Sequence, residues 1–315
     1  MRFNTDMVSV AMCTYNGEAF IGKQIQSILD QTHSNIELIV VDDKSSDRTL
    51  EIIQSFEAKD KRIRLHKNQH NLGFNKNFEK AIRLCSGNFI AISDQDDIWL
   101  PNKIERLLAS IGEHLMVYAN SAKIDDNDNL LGSSILNSGR NPEKYNNYKS
   151  ILINNFVTGH NVLFKKRAID LILPFPEKGF YDWWMGFVML YEGKLAYCNE
   201  ILTHYRIHNQ SVIKVIQSNL ASSKRFTYVS TVKTNMQELQ NFQRYRRLNG
   251  KDQHFLSSLE SAIEHKLSCY FSFRLYKLLW NNFELIFPGY NKPTIKKVFF
   301  LYRNCRGIKW PWLFS

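Results

Sequence analysis

Short apolar runs alternate with helix-like segments throughout residues 7–120. The runs are Val8–Met12, Ile36–Val41, Ile63–Leu65, Phe89–Ile92 and Leu115–Tyr118. They are too short for typical helices, and their uninterrupted apolar character is typical of strands buried on both faces. Between the first two runs, Ile21, Ile25 and Ile28 recur at helical spacing. The alternation predicts an α/β fold, in which a mostly parallel sheet is covered by helices.

The rest of the chain divides into three parts. Residues 124–145 are rich in Asp, Asn and Gly and predict an irregular connection. Two further strands are expected at Val162–Phe164 and Leu195–Tyr197, on either side of a helix near Trp183–Tyr191. Residues 218–280 have a mostly helical pattern. We therefore expect one domain over residues 1–214 and a helical region over residues 215–315.

Cysteine spacing and hydropathy limit the cellular setting. The five cysteines are far apart and form no CxxC pair, which argues against a zinc site or a disulfide framework. No apolar stretch reaches the length of a transmembrane helix, and Met7–Cys13 is too short for a signal segment. We expect a cytoplasmic protein.

The net charge of +11 comes entirely from the C-terminal region. Residues 215–315 hold 16 Lys and Arg against 5 Asp and Glu, whereas residues 1–214 are balanced. Basic side chains there alternate with aromatic and aliphatic ones, as in Phe271–Trp280 and Lys296–Arg303. This pattern fits peripheral contact with the inner face of an anionic membrane, and equally a helical subdomain with buried aromatics and solvated charges.

Three carboxylates directly follow the strand predicted at Phe89–Ile92. They are Asp94, Asp96 and Asp97. Open α/β sheets bind ligands at the carboxyl ends of their strands, and clustered carboxylates suit Mg²⁺ or Mn²⁺ held together with a diphosphate. The simpler interpretation is a solvated, capped turn before a helix that starts at Pro101.

A second acidic pair ends the second strand. One carboxylate of Asp42 and Asp43 could accept from a ribose hydroxyl or a base N–H, whereas Asp47 fits the start of the following helix. The turn residues of Tyr15–Gly17 and Asn71–Asn75 also follow strands and are expected at the same sheet edge.

The remaining candidates lie further along the chain. Asp182 precedes an apolar helix and is either its N-cap or a general base whose pKa is raised by neighbouring indoles. Trp183 and Trp184 are core residues or a platform for a sugar. Arg206 and His208 share a face if extended, where they could neutralise phosphate or support a metal.

Taken in order, these motifs resemble the family 2 glycosyltransferases, which have the GT-A nucleotide-diphospho-sugar transferase fold. The motifs are Val8–Gly17, Ile39–Asp47, Asn71–Gly73, Asp94–Asp97 as the family's DxD sequence, and Asp182 as its catalytic aspartate. The match covers about residues 5–212. The segments Ser93–Trp99, Asp182–Trp184 and Tyr205–His208 look most like bacterial rhamnosyltransferases.

The resemblance implies a role for each matched residue. Residues 1–120 would form the nucleotide-binding half and residues 121–214 the acceptor half. Asp96 would ligate Mg²⁺ or Mn²⁺, and Asp182 would be the base of an inverting displacement, supported by Arg206 or His208 at the diphosphate. The nucleotide contacts would be Cys13, Tyr15, Asp43, Asn71 and Asp94.

The implied substrates are a dTDP- or UDP-sugar donor, with rhamnose as the expected sugar, and a glycan or lipid-linked acceptor in surface polysaccharide synthesis. Lys44 stands where the family usually has Gly, and Tyr181 where related enzymes often have His or Glu. No QxxRW sequence is present, which argues against a processive polymerase.

Two other functions stay open at this point. One is a nucleic-acid-binding protein that uses the basic C-terminal region, against which the neutral, carboxylate-rich front half weighs. The other is a catalytically silent scaffold with a glycosyltransferase-like fold. A nicotinamide dehydrogenase is excluded because no GxGxxG sequence follows the first strand.

Overall fold

The computed structural model describes residues 6–136, 142–208 and 224–309. The chain forms two compact units. The first comprises Met1–Arg140, Phe156–Glu177 and Met189–Ile207, and the second comprises Asn141–Asn155, Lys178–Val188 and His208–Ser315. The predicted boundary at residue 214 falls outside the described residues, and the second unit also contains two segments from earlier in the chain.

The first unit contains a mixed sheet of nine strands among the described residues. The strands are β1 (Val8–Thr14), β2 (Ile36–Asp42), β3 (Ile63–Lys67), β4 (Phe89–Ser93), β5 (Ile98–Trp99), β6 (Met116–Ile124), β7 (Leu130–Ser134), β8 (Val162–Lys165) and β9 (Leu195–Arg206). Their order is β3-β2-β1-β4-β8-β6-β9-β5, with β7 paired to β6. Pairs among β1–β4 and between β6 and β9 are parallel, and the antiparallel pairs are only two or three residues long. The predicted mostly parallel α/β sheet is confirmed.

Helices cover this sheet because their apolar residues recur every third or fourth position. They are α1 (Ile21–Leu29), α2 (Thr49–Glu57), α3 (Phe74–Leu84), α4 (Lys103–Ile111) and α5 (Ile169–Ile172). In α1 the side chains of Ile21, Ile25 and Ile28 are completely buried, in the same cluster as Val10 of β1 and Val40 of β2. Strands β1 and β2 are buried on both faces, which explains their uninterrupted apolar sequences.

Two strands differ from the sequence prediction. Residues 130–134 form β7, so the interpretation of residues 124–145 as wholly irregular is wrong for this stretch. Leu130 and Leu131 are exposed, so β7 lacks the alternation of buried and exposed residues that reveals a strand. Strand β5 has only two residues, which no periodicity can indicate.

The second unit is mostly helical. Helix α6 (Tyr181–Tyr191) begins in it, and the C-terminal region contributes α7 (Lys224–Gln243), α8 (Gly250–Glu264), α9 (Phe273–Asn281), α10 (Phe283–Ile286) and α11 (Thr294–Cys305). Aromatic packing forms part of its core, where Phe187 stacks on Phe242 with ring centres 4.2 Å apart. Short 3₁₀ helices occur in the two units at Pro142–Lys144, Tyr148–Ile151, Gly159–Asn161, Lys166–Ala168 and His265–Leu267.

Candidate active site

The carboxyl ends of the parallel strands bring the predicted nucleotide residues to one edge of the first unit's sheet. Cys13 is the penultimate residue of β1, Asp43 directly follows β2, and Asp94 directly follows β4. Burial raises the pKa of the Cys13 thiol well above its usual range, and the carboxylates of Asp94 and Asp43 add to this rise. The Cys13 thiol is therefore neutral.

Gln95 ties the aspartate loop to the end of β1. Its Oε1 accepts hydrogen bonds from Thr14 Oγ1 at 2.7 Å and from the Tyr15 amide at 2.9 Å, while its Nε2 donates to the Tyr15 carbonyl at 3.1 Å. A Cβ on Gly17 would clash with this amide group. The Tyr15–Gly17 turn and the Asp94–Asp97 loop are therefore joined directly, and Tyr15 keeps half of its surface exposed.

Asp43 holds the Asn71–Gly73 loop. Its Oδ1 accepts from Asn68 Nδ2 and the Leu72 amide, both at 2.8 Å, and its Oδ2 accepts from the Gly73 amide at 2.9 Å. The Asn71 side chain donates to the Asp43 carbonyl at 3.2 Å. Three of about four acceptor positions on this carboxylate are thus occupied, so one is left for a ligand.

The turn after Asp43 keeps a glycine-like conformation despite its sequence. Lys44 has a φ of 68°, in the left-handed region that favours glycine. Lys44 therefore preserves the backbone conformation expected where the family usually has Gly. Next to this turn, Asp47 accepts from the amide and hydroxyl of Thr49, the first residue of α2. The N-cap position itself is Arg48, so Asp47 binds the start of the helix without being its N-cap.

Asp94 and Asp97 meet a histidine that the sequence patterns did not single out. His160 Nδ1 lies 3.9 Å from Asp94 Oδ2 and 3.9 Å from Asp97 Oδ2. Potential ligand atoms of the three residues all lie within 4.8 Å of one another. His160 belongs to the short 3₁₀ helix before β8, and the antiparallel pairing of β8 with β4 brings it to the aspartates.

Three buried ionisable side chains, Asp97, Lys103 and His160, lie at this group. Burial, followed by the carboxylates of Asp96 and Asp94, raises the pKa of Asp97 well above its usual range. Burial and then the Lys103 ammonium lower the pKa of His160 well below its usual range, so the imidazole is neutral. Lys103 Nζ donates to the His160 carbonyl at 2.6 Å and to Thr203 Oγ1 at 2.8 Å.

A divalent cation fits the donor set of Asp94, Asp97 and His160. Asp97 Oδ2 is buried and has no hydrogen-bond partner among the described residues. His160 Nε2 lies 2.7 Å from Ser121 Oγ, and the tautomer that donates there leaves the Nδ1 lone pair on the side of the two carboxylates. Two carboxylates and a neutral imidazole are suitable ligands for Mn²⁺ or Mg²⁺.

The structure separates the roles of Asp96 and Asp97. Asp97 Oδ1 accepts from the Arg206 amide at 3.1 Å, and α4 begins only at Lys103. The interpretation of Asp97 as a helix cap is therefore wrong. The Asp96 carbonyl accepts from Arg206 Nε at 2.8 Å, and its role as a metal ligand stays a prediction.

Arg206 is buried, with a relative exposure of 1%. Besides the bond to the Asp96 carbonyl, its Nη1 donates to the Asp125 carbonyl at 2.7 Å and its Nη2 pairs with Asp128 Oδ1 at 2.5 Å. The guanidinium also stacks over the Phe20 ring, 4.5 Å from its centre. These contacts give Arg206 a structural role in the first unit. They account for its buried position, and its contact with phosphate stays a prediction. His208 is a buried residue of the second unit.

The stability of the Arg206→Lys variant tests this role. We expect the free energy of unfolding to fall by about 3 kcal/mol, because lysine cannot replace the guanidinium fork and leaves buried acceptors unpaired. Urea unfolding measures the loss. The control is Arg83→Lys, an exposed arginine paired with the partly buried Glu79, which should change stability by less than about 0.5 kcal/mol. Equal stability of the two variants would contradict the structural role.

Asp182 lies in the first turn of α6 and is therefore not its N-cap. Its Oδ1 accepts from Asn155 Nδ2 at 3.1 Å, within the second unit. Trp183 and Trp184 are both buried, and Trp183 Nε1 donates to the Ile151 carbonyl at 2.6 Å. The core interpretation of the two tryptophans is confirmed, and Asp182 is the partly exposed member of the group.

A buried glutamate on α7 holds the segment that leads into Asp182. Glu238 Oε1 accepts from the Phe180 amide at 2.9 Å, and Asn241 Nδ2 donates both to Glu238 Oε2 at 3.2 Å and to the Lys178 carbonyl at 2.8 Å. Gly179 has a φ of 93°, and a Cβ there would clash with Glu238. Burial raises the pKa of Glu238 to about 7, and the Asp182 carboxylate adds to the rise.

This pKa predicts a pH-dependent stability. Between the ordinary glutamate value of 4.5 and about 7, the folded chain retains a proton that the unfolded chain releases, so stability falls as pH rises. The Glu238→Gln variant does not titrate there. From about pH 4 to about pH 8, we expect its stability to rise relative to wild type by about 3 kcal/mol. Urea unfolding of both proteins at the two pH values gives the difference, and parallel pH profiles would contradict the raised pKa.

The comparisons with known proteins agree with this geometry. The family profile described as "Glycosyl transferase family 2" matches residues 9–173, more than half of the chain. The chain belongs to glycosyltransferase family 2. This family 2 glycosyltransferase is 30% identical to the Escherichia coli protein named UDP-Glc:alpha-D-GlcNAc-diphosphoundecaprenol beta-1,3-glucosyltransferase WfgD, over 65% of this chain and 79% of WfgD.

Solved structures show the same fold. Staphylococcus aureus TarS 1–349 in complex with UDP-GlcNAc matches the glycosyltransferase with a TM-score of 0.58 and 16% identity, covering 90% of this chain and 82% of that one. The mannosyltransferase PcManGT from Pyrobaculum calidifontis, in complex with GDP-Man and Mn²⁺, matches with a TM-score of 0.54 and 15% identity, over 97% and 87%. The expected GT-A glycosyltransferase fold is confirmed. Among the described residues, no helix is both long and apolar enough to cross a bilayer.

Proposed function

We propose that this glycosyltransferase moves a sugar from a nucleoside diphosphate to a hydroxyl of a glycan or lipid-linked acceptor in surface polysaccharide synthesis. The observation that carries the proposal is the meeting of Asp94, Asp97 and His160 at the sheet edge that also holds Cys13 and Asp43. Carboxylates and a neutral imidazole at the carboxyl ends of parallel strands suit a metal-bound diphosphate.

The proposed reaction is a single displacement with inversion. Asp182 takes the proton of the acceptor hydroxyl, whose oxygen forms the new bond to the anomeric carbon. The bond from that carbon to the diphosphate oxygen breaks on the opposite face, and the diphosphate leaves with the electron pair. A Mn²⁺ or Mg²⁺ ion, when bound by the aspartates, would stabilise the charge that develops on the diphosphate.

The donor and acceptor classes are supported by the names of similar proteins. UDP-GlcNAc is bound to TarS and GDP-Man with Mn²⁺ to PcManGT, and WfgD is named for UDP-Glc and a diphosphoundecaprenol-linked acceptor. For this chain, the resemblance of Ser93–Trp99, Asp182–Trp184 and Tyr205–His208 to rhamnosyltransferases favours a deoxyhexose such as rhamnose, carried by dTDP or UDP.

A donor panel tests the proposal. The full chain is incubated with dTDP-rhamnose, UDP-glucose, UDP-GlcNAc or GDP-mannose, each with and without Mn²⁺, and scored for thermal protection and donor hydrolysis. A donor at about 100 times its dissociation constant should stabilise the fold by about 2.7 kcal/mol. If dTDP-rhamnose protects no better than the other donors, the rhamnose assignment fails. If some donor protects but none is hydrolysed or transferred, the chain is a silent scaffold, and the proposal is wrong.

A further inference from the structure

Helix α11 exposes an apolar face to solvent. The face comprises Ile295, Val298, Phe299 and Tyr302, which are 66%, 38%, 62% and 37% exposed. At 3.6 residues per turn, these four side chains cover an arc of about 100° on one side of the helix. We call them the α11 apolar face. Single exposed apolar side chains are common on protein surfaces, whereas a contiguous group of large ones marks an interaction site.

A different side of α11 anchors the helix in the second unit. Leu301 and Cys305 are completely buried, so the exposed side chains are not needed to attach the helix. The patch extends beyond α11, because the Phe271 ring stacks on Tyr302 at 5.4 Å and packs against Phe273 at 4.8 Å. Phe273 itself is 79% exposed. One apolar side of the helix is therefore buried within the second unit, and the other is exposed to solvent.

Positive charge borders the α11 apolar face. Lys296 and Arg303 are exposed and, at helical spacing, follow directly on one side of it. The sequence of α11 contains no acidic residue. At its C-terminal end, Phe300, Arg303, Asn304 and Arg306 line a cleft of about 380 Å³. Arg306 Nε is buried and has no hydrogen-bond partner among the residues that the structure describes.

We propose that the α11 apolar face docks the protein on an anionic phospholipid surface. The helix lies in the plane of the interface, with Ile295 and Phe299 at the acyl boundary, while Lys296 and Arg303 extend to lipid phosphates. The proposal rests on side chains of the second unit alone and does not depend on the reaction proposed above. It narrows the predicted membrane contact of residues 215–315 to one side of one helix.

Charge favours lipid over a second copy of the chain as the partner. A symmetric contact between two such faces would bring each patch against its own counterpart, with Lys296 and Arg303 of both copies near one another. An anionic bilayer surface instead attracts these side chains, by roughly 1 kcal/mol for each cation, which corresponds to about a fivefold change in partitioning.

Sedimentation with lipid vesicles tests the proposal. The full chain is mixed with vesicles of phosphatidylcholine alone or of phosphatidylcholine with phosphatidylglycerol, at low and high salt. We expect binding only to the anionic vesicles, weakened by salt because exposed charges are screened. The double variant Lys296→Gln/Arg303→Gln should bind about 25-fold more weakly. Ile295→Ser/Phe299→Ser should weaken binding at least tenfold, because it removes the inserted apolar groups.

The matched control is Leu130→Ser/Leu131→Ser, which removes two exposed leucines from β7 in the first unit. It should bind vesicles like wild type, and thermal unfolding should show that all three variants fold. Equal binding of wild type and the two α11 variants would overturn the proposal, as would equal binding to neutral and anionic vesicles. Self-association that Ile295→Ser/Phe299→Ser abolishes, without vesicle binding by wild type, would assign the face to a second copy instead.

Discussion

The Asp182→Asn variant should lose sugar transfer by a factor of about 10²–10⁴ while still binding the donor. Asparagine has almost the same shape and its amide oxygen can still accept from Asn155 Nδ2, so the local structure should survive. It cannot take up the acceptor proton, which is the step assigned to Asp182. Steady-state transfer to a soluble acceptor gives the loss in kcat, and donor-dependent thermal protection measures binding.

Asp170→Asn serves as the control for this variant. Asp170 is an exposed carboxylate in the short helix α5 and should tolerate the change with normal transfer. Normal turnover by Asp182→Asn would remove Asp182 from the mechanism. A joint loss of transfer and of donor protection would instead indicate that Asp182 organises the donor site and is not the base.

Asp94→Asn should weaken Mn²⁺-dependent donor binding by about 100-fold or more. Asp94 belongs both to the aspartate sequence that the family resemblance assigns to nucleotide or metal and to the group formed with Asp97 and His160. Changes to groups that only support a metal ligand already cost about 10–100-fold in affinity, so loss of a direct ligand should cost at least as much. Titration of Mn²⁺ at fixed donor, followed by thermal unfolding, measures the effect without needing turnover.

Two companion variants identify the remaining ligands. His160→Gln should weaken Mn²⁺ binding if the imidazole is a ligand, whereas Asp96→Asn should do so if the ligand set implied by the resemblance is correct. Both variants should fold. His160→Gln replaces a neutral imidazole with a neutral amide, and Asp96→Asn replaces a carboxylate with an amide of nearly the same shape. Unchanged Mn²⁺ dependence in Asp94→Asn itself would contradict a metal site at this loop.

The order of strands and helices could be predicted because the central strands are buried on both faces. Such strands must be apolar at every position, and β1, β2 and β4 therefore stand out in the sequence. Their parallel arrangement then places the following loops at one edge, which is why the grouping of Cys13 with Asp43 and Asp94 was predictable. Strand β7 escaped prediction because both of its leucines are exposed.

Long-range pairing explains what the sequence patterns missed at the site. His160 reaches the aspartates only because β8 pairs antiparallel with β4, and no local spacing connects residues so far apart in the chain. Arg206 and His208 were expected on one face of an extended segment, but β9 ends at Arg206 and the two residues fall in different units. The partners of Arg206 are largely backbone carbonyls, which carry no sequence signal.

The Gln95 bridge has a thermodynamic consequence. The side-chain amide of Gln95 is hydrogen-bonded to Thr14 and Tyr15. A ligand that changes the conformation of the Asp94–Asp97 loop must therefore also affect the Tyr15–Gly17 turn, and the reverse holds as well. Coupling between two binding events is reciprocal, so a cation that strengthens nucleotide binding is itself bound more tightly, by the same factor, once the nucleotide is present. Donor and cation would then be taken up as a single cooperative unit, and Gln95→Ala would uncouple them while leaving each carboxylate in place.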